Sequence, residues 1–373
     1  MKKSLLALAV LGAFAGAASA QSSVTVYGIV DLGFDSSDNG AAAGRTNGIK
    51  SGGQSASRIG FKGTEDLGGG LNALFQLEAT IAADTGGAFA VPSTPTSGLN
   101  NGYANGAGGF NRIATVGLQS AAFGTVNLGR QTSVIKDAYD VVDPFGDGGN
   151  IAPISAIFFG GLLNSDYGRI SNAVKYSTPS FGGFKVSAAY GFGETAGDTG
   201  ANSNYGFGAG YANGPLNVQF AYHNQDRSTT LVLNPVQTQE NELFFVGATY
   251  NFGVVKLHGA FADTKIDFPV AVDTEFRNYM VGVSLPLGAA GNLFASYSVN
   301  DNKTSGVSNA DSQKAAIMYT YDLSKRTNLY TGYSHTSNDA NANVGLGAIS
   351  GSAAAGVNGE SASAFNVGVR HKF

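Results

Sequence analysis

The chain contains neither cysteine nor tryptophan, and it has no excess of basic residues. Without cysteine there are no disulfides, so hydrogen bonding and packing must hold the fold. Its 22 basic residues stand against 26 acidic ones, a balance that excludes the general phosphate contact of a basic nucleic-acid-binding protein. No apolar run after residue 20 approaches the roughly 20 residues that a membrane-spanning helix needs.

Residues 1–20 have the features of a secretory signal peptide. Lys2 and Lys3 precede an apolar run over residues 5–14, and Ala18 and Ala20 form an A-x-A cleavage site. The run is too short for a retained anchor, because a spanning helix needs about 20 residues. We therefore predict a signal peptide over 1–20 and one domain over 21–373. Without Lys2 and Lys3, 20 basic residues remain against 26 acidic ones, a net charge of −6.

The last nine residues alternate between two faces of a strand and end on Phe373. A period of two places alternate side chains on opposite faces. One face carries Phe365, Val367, Val369 and His371, and the other carries Asn366, Gly368, Arg370 and Lys372. This pattern fits a membrane barrel with a wet interior, although a half-buried strand of a soluble sandwich would show it too.

Short turn signals alternate with long polar segments along the whole chain. Seven compact turns divide it into eight hairpins, which predicts 16 strands with both chain ends on the short-turn side. The turns are 64–68, 122–125, 179–183, 212–215, 251–253, 287–292 and 322–326. The 16 Tyr and 24 Phe residues supply the aromatic girdles of such a barrel. We predict an all-β, 16-stranded antiparallel transmembrane β-barrel, wide enough for an aqueous channel.

Four runs resemble the general porins of Gram-negative bacteria, particularly the β-proteobacterial and neisserial type. They are residues 22–31, 57–68 and 169–179, and the closing Phe373. The resemblance implies a homotrimer in the cell outer membrane that passes small hydrophilic solutes and ions by diffusion. It also implies a third external loop folded into the barrel and recognition of Phe373 as the signal for the barrel-assembly machinery. Contact with outer-membrane lipid and lipopolysaccharide is a further expectation.

The third segment is longer than two strands require, which predicts a loop over about 137–168, and long ordered loops are usually functional. Its run over 140–149 resembles the acidic tip of porin constriction loops, but the glutamate is missing and Pro144 runs directly into Phe145. Asp143 and Asp147 flank the gap and are the predicted acidic side of the constriction.

The predicted opposing wall is basic. By the resemblance, Arg58, Arg112 and Arg169 lie where porins carry pore arginines, and Glu78 matches an inward carboxylate. Arginines facing carboxylates across a narrow pore give a strong transverse field. Ordinary solvated barrel charges are the alternative. Three arginines against a weakened acidic tip predict mild anion preference, whereas the net charge of −6 favours cations at the mouth.

The sequence carries few other motifs that would indicate a metal site or an enzyme active site. The four histidines are far apart, without metal-ligand spacing, and we expect them to be solvated. Motifs such as G-x-S-x-G or a P-loop are missing, so we expect no enzyme activity and no cofactor. A substrate-selective porin, an outer-membrane barrel acting as an adhesin, and a barrel enzyme remain the alternative functions.

Overall fold

The computed structural model describes residues 23–88, 109–146, 151, 157–158, 168–194, 196–229, 237–268, 271–346 and 356–373. The predicted signal peptide lies outside them and stays a prediction. Within these residues, eighteen strands and the helix α1 (Val134–Val142) are found. The strands are β1 (Ser23–Asp38), β2 (Thr46–Ser51), β3 (Arg58–Gly68), β4 (Leu71–Ala82), β5 (Gly87–Ala88), β6 (Ile113–Ser120), β7 (Gly124–Thr132), β8 (Arg169–Ser177), β9 (Phe184–Gly191), β10 (Asn204–Asn213), β11 (Leu216–Thr229), β12 (Gln237–Asn251), β13 (Lys256–Asp267), β14 (Thr274–Leu287), β15 (Gly291–Asn302), β16 (Ser312–Asp322), β17 (Thr327–Asn338) and β18 (Ala362–Lys372).

The strands form one closed antiparallel sheet. On one edge, β1 pairs with β2 and β3, and on its other edge it pairs with β18. In the part of the chain that the structure describes, sixteen strands make the wall. This count holds because β2 and β3 lie along the same edge of β1, while β5 is a two-residue pairing at the end of β4. The predicted 16-stranded antiparallel barrel is confirmed.

Short turns lie at one end of the barrel, as the sequence predicts, but the first predicted turn is misplaced. Residues 64–68 belong to β3, and the chain reverses at Gly69 and Gly70, whose φ angles are 62° and 78°. Glycine adopts this left-handed region without the steric penalty of a Cβ atom. The first part of β1 meets the C-terminal residue, because Gly28 and Phe373 exchange backbone hydrogen bonds of 3.1 Å.

The two faces of the wall differ as the alternation predicts. On β1, Val24 and Val26 are 65% and 52% exposed, whereas Asp31 and Asp35 on the other face are buried. Exposed apolar side chains repeat around the outside on β6, β7, β14 and β18. An apolar exterior with a polar interior is the arrangement of a barrel in lipid.

The helix α1 lies inside the barrel. The Ser133 hydroxyl accepts a hydrogen bond from the Lys136 N–H at 3.2 Å and caps the first turn. The buried side of the helix, which includes Tyr139 and Val142, packs in one cluster with Leu243 and Phe245 of β12. The third loop therefore folds inward as predicted, and it starts at residue 133 rather than 137. No helix of the described segments is long and apolar enough to span a membrane.

Glycines on the inner wall let the third loop lie directly on the strands. A Cβ atom added to Gly206 would lie 2.7 Å from Val134, and one added to Gly247 would lie 2.9 Å from Val142. Further along, Gly282 and Gly332 make the same allowance for Pro144 and Ile151, at 3.0 and 3.2 Å. Part of the high glycine content thus serves close backbone approach.

Candidate pore constriction

Three of the predicted site residues come together on the inner wall. Glu78 accepts a hydrogen bond from Arg112 Nε at 2.5 Å, and the same Oε1 atom lies 3.7 Å from Arg58 Nη1. The Tyr27 hydroxyl donates to the other carboxylate oxygen at 3.0 Å. Two guanidinium groups therefore share one carboxylate, which leaves this cluster with a net charge of +1.

Strand register produces this cluster. Gly60 of β3 pairs with both Tyr27 of β1 and Glu78 of β4. A Cβ at Gly60 would lie 2.3 Å from the Tyr27 ring, so the glycine lets that ring cross β3 and reach Glu78. Arg112 directly precedes β6, where its N–H donates to the Glu78 carbonyl at 3.1 Å.

Gln76 and Lys62 complete this part of the wall, and neither is among the predicted site residues. Gln76 Nε2 donates to the Tyr27 hydroxyl at 2.6 Å. Lys62 Nζ lies 5.2 Å from the centre of the Tyr27 ring, within cation–π distance. Lys62 lies four residues after Arg58, so strand alternation places both side chains on one face, whereas no pattern in the sequence indicates Tyr27.

Arg169 lies apart from this cluster. It begins β8, paired with Thr132 at the end of β7, where the third loop rejoins the wall. Because β7 also pairs with β6, two strand spacings of about 5 Å each separate β8 from the β6 edge beside Arg112. Arg169 therefore does not join the cluster formed by Arg58, Arg112 and Glu78.

The acidic side differs from a simple row of exposed carboxylates. Asp143 is 5% exposed and ends α1, where its Oδ1 accepts the Phe145 N–H at 3.0 Å. Asp147 lies outside the described residues. Asp140, which was not among the predicted site residues, is a described loop carboxylate that interacts electrostatically with Arg58.

Lysine side chains lie near the carboxylates of α1 and of Asp143, which directly follows the helix. Lys175 Nζ of β8 lies 2.5 Å from Asp137, and Lys136 Nζ lies 2.9 Å from Asp140. Lys314 of β16 interacts electrostatically with Asp143 beneath the loop. Asp137, Asp140 and Asp143 therefore each have a lysine nearby, whereas the two arginines and one carboxylate of the facing wall keep a net positive charge.

The prediction that all four histidines are solvated is wrong for two of them. His223 and His258 are buried under the third loop, because the loop covers the inner face of β11 and β13. His258 Nδ1 lies 2.7 Å from the Val142 carbonyl, and its Nε2 lies 2.9 Å from the Ser284 hydroxyl. In the segments described, no three His, Cys, Asp or Glu side chains are grouped as metal ligands would be.

Comparison with known proteins agrees with this architecture. A family profile described as Gram-negative porin matches residues 7–342. The outer membrane porin protein 32 of Delftia acidovorans is 38% identical, and an outer membrane porin of Bordetella pertussis is 35% identical. Each of these two matches covers 100% of both chains. The chain therefore belongs to the Gram-negative porin family, and it is an outer-membrane porin.

Solved structures share the barrel. The anion-selective porin from Comamonas acidovorans superposes with a TM-score of 0.79 at 32% identity, over 95% of this chain and 100% of that one. The outer membrane protein OmpT of Vibrio cholerae, solved in a trimer form, has a TM-score of 0.70 at 17% identity, over 94% and 99% of the two chains. The second likeness concerns the fold alone.

Proposed function

We propose that this porin lets small hydrophilic solutes and ions diffuse passively across the outer membrane, with a mild preference for anions. The observation that carries the proposal is the single carboxylate of Glu78 shared by Arg58 and Arg112 on the inner wall. A guanidinium stays ionised at every physiological pH, so the excess positive charge is permanent. The relative from Comamonas acidovorans, whose title calls it anion-selective, supports the same preference.

The constriction lies between this wall and the third loop. Arg58, Arg112 and Arg169 supply its positive side, and Glu78 moderates it. Asp143 and Asp147 supply the acidic side, together with Asp140. Fixed charges of opposite sign across a narrow aqueous pore orient dipolar solutes and favour passage of one ion sign.

We also propose that the protein is a homotrimer in contact with lipopolysaccharide, and that Phe373 is its assembly signal. The trimer form of the Vibrio cholerae protein with this fold is in keeping with three subunits. Phe373 closes the barrel through its backbone contact with Gly28, and its ring lies against the same glycine. A terminal strand that completes the barrel is a suitable point for assembly to be checked.

Planar-bilayer recording of the mature protein under a KCl gradient tests the proposal. We expect ohmic steps that close in thirds and a reversal potential on the anion side. Replacing Arg58, Arg112 and Arg169 together by Gln should move the reversal potential towards cations. The matched control replaces three exposed cations on or beside the outer rim of β13–β15 by Gln, namely Lys265, Arg277 and Lys303.

The outcomes separate the alternative functions. A folded barrel without conductance would contradict diffusion and favour an adhesin, and hydrolysis of an ester or peptide by the pure protein would indicate an enzyme. Saturable flux of one solute would indicate a substrate-selective porin. If the triple arginine variant shifted no more than its control, the three arginines would not form the constriction.

A further inference from the structure

A six-residue segment interrupts the second strand of the wall. Both β2, which ends at Ser51, and β3, which begins at Arg58, pair with β1, and residues 52–57 leave the sheet between them. We call residues 52–57 the insert. It bridges the gap opposite Asp31, because the Gly52 N–H donates to the Asp31 carbonyl at 2.9 Å and the Asp31 N–H donates to Ser57 Oγ at 3.0 Å.

The carboxylate of Asp31 holds the insert on the inner wall. Its Oδ2 atom accepts the backbone N–H groups of Gln54 and Ser55 at 3.0 and 2.6 Å. Its Oδ1 atom accepts the Tyr330 hydroxyl at 2.6 Å, and the side chain is fully buried. All three donors are neutral, so this carboxylate organises the backbone without entering an ion pair in the described part of the chain.

Tyr330 joins the insert to the last two strands. Its hydroxyl lies over Gly33, Gly53 and Gly368, where an added Cβ would be 2.8, 2.3 and 2.4 Å away. The three glycines belong to β1, the insert and β18. The ring is therefore clamped between the insert and the seam at which the barrel closes.

The insert and this seam together hold Arg370. Its Nη1 donates to Ser55 Oγ at 2.8 Å, and its Nε donates to Asn328 Oδ1 at 3.0 Å. Asn328 in turn donates to Gln54 Oε1 at 2.8 Å. Both hydrogen-bond acceptors of Arg370 are neutral. Asp31 and Asp322 act on its charge electrostatically, but among the described residues neither forms an ion pair with the guanidinium.

Arg370 belongs to the inner face of β18. It has the parity of buried Asn366, whereas Val367 and Val369 are exposed outside. Lys372 follows on the same face, paired with Ile29 of β1, and Ile29 pairs with Arg58 of β3. Two strand spacings of about 5 Å separate β18 from β3, comparable with a screening length of about 10 Å at 0.1 M salt. Arg370 and Lys372 therefore extend the positive wall across the seam.

We propose that Arg370 is a further anion-contacting residue of the pore, and that Asp31 is a positioning residue that acts on it through the insert. The ligands are small inorganic and carboxylate anions in transit. The inference rests on the proposed diffusion function, and it adds a second cationic position to the one formed by Arg58 and Arg112.

The first test replaces Arg370 by Gln and measures the reversal potential under a KCl gradient in planar bilayers. We expect the anion-to-cation permeability ratio to fall at least two-fold, and Arg370→Lys to retain most of the preference because it keeps the charge. Arg277→Gln is the matched control, because it removes the same charge from the outside of β14.

The second test repeats Arg370→Gln in two altered backgrounds. Asp31→Asn removes acceptor capacity from the insert, and Tyr330→Phe is the milder variant, since the ring stays and only the hydroxyl is lost. If Asp31 positions Arg370, then Arg370→Gln should lower the ratio in both backgrounds by less than half of its wild-type effect. Formation of open channels of wild-type conductance reports correct folding.

The outcomes distinguish this inference from the proposed function. A wild-type channel that fails to conduct, or that prefers cations, would contradict the proposed function itself. An anion-preferring wild type that Arg370→Gln leaves unchanged would refute the contact role of Arg370 alone. Equal effects of Arg370→Gln in the wild-type and Tyr330→Phe backgrounds would refute the positioning role of Asp31.

Discussion

Replacing Glu78 by Gln isolates the charge of the constriction from its shape. Gln fits the same space, with its carbonyl oxygen facing Arg112 and its amide facing the Tyr27 hydroxyl, so the hydrogen bonds at 2.5 and 3.0 Å keep their partners. The net charge of the cluster with Arg58 rises from +1 to +2. Anion preference should therefore increase.

The magnitude follows from Coulomb's law. An ion passing about 6 Å from the carboxylate in water interacts with it by about 0.7 kcal/mol, or about three-fold in local concentration. Because the anion gains what the cation loses, the permeability ratio changes about ten-fold without screening. A screening length of about 10 Å at 0.1 M salt reduces the change to about four-fold, and one of about 3 Å at 1 M reduces it to about 1.4-fold.

The assay is the reversal potential of the Glu78→Gln channel in KCl gradients centred on 0.1 M and on 1 M. Glu275→Gln is the control, since Glu275 pairs with Arg277 at 2.9 Å on the outside of β14. A shift towards cations would refute the reasoning, and so would a shift of equal size at both salt concentrations. An equal response of the control would place the effect at the pore mouth.

Three further variants test how the barrel holds its loop and its end. Gly247→Leu should push Val142 off the wall towards the lumen, at a cost of about 1–3 kcal/mol for overpacking, and lower both the unfolding temperature and the single-channel conductance; an unchanged conductance would contradict this. Loss of the His258 hydrogen bond in His258→Ala should weaken attachment of α1 by about 1 kcal/mol and increase current noise, and quiet channels would contradict this. Gly28→Leu should displace the Phe373 ring and slow refolding, measured by the band of folded protein on gels; an unchanged rate would refute it.

The barrel could be predicted from the sequence because its rule is local. Period-two alternation depends only on neighbouring residues, and each short turn carries its own Gly, Pro or Asn signal. The one misplaced turn shows the limit of that rule. The polar residues 64–68 look like a turn, but they form the end of β3, and the paired glycines that follow take the positive φ angles.

The same limit applies to the candidate site, of which only part could be predicted from the sequence. Arg58, Glu78 and Arg112 were predicted by resemblance, and the strand register brings them together. The contact of Asp31 with Tyr330 spans 299 positions of sequence, and no local pattern indicates it. The insert escaped prediction for a related reason, since its Gly, Gln and Ser residues resemble an ordinary external loop.

The position of charges, rather than their number, determines the expected preference of this pore. The chain is acidic overall, yet Asp137, Asp140 and Asp143 each have a lysine partner or neighbour, at Lys175, Lys136 and Lys314. On the facing wall, one carboxylate serves two arginines, and Asp31 accepts hydrogen bonds from neutral donors while it also acts electrostatically on Arg370. We therefore expect the field across the proposed constriction to arise mainly from the wall, so neutralising wall cations should alter selectivity more than neutralising loop carboxylates. Asp140→Asn and Arg112→Gln, compared in one reversal-potential series, would decide this, and a larger effect of Asp140→Asn would contradict it.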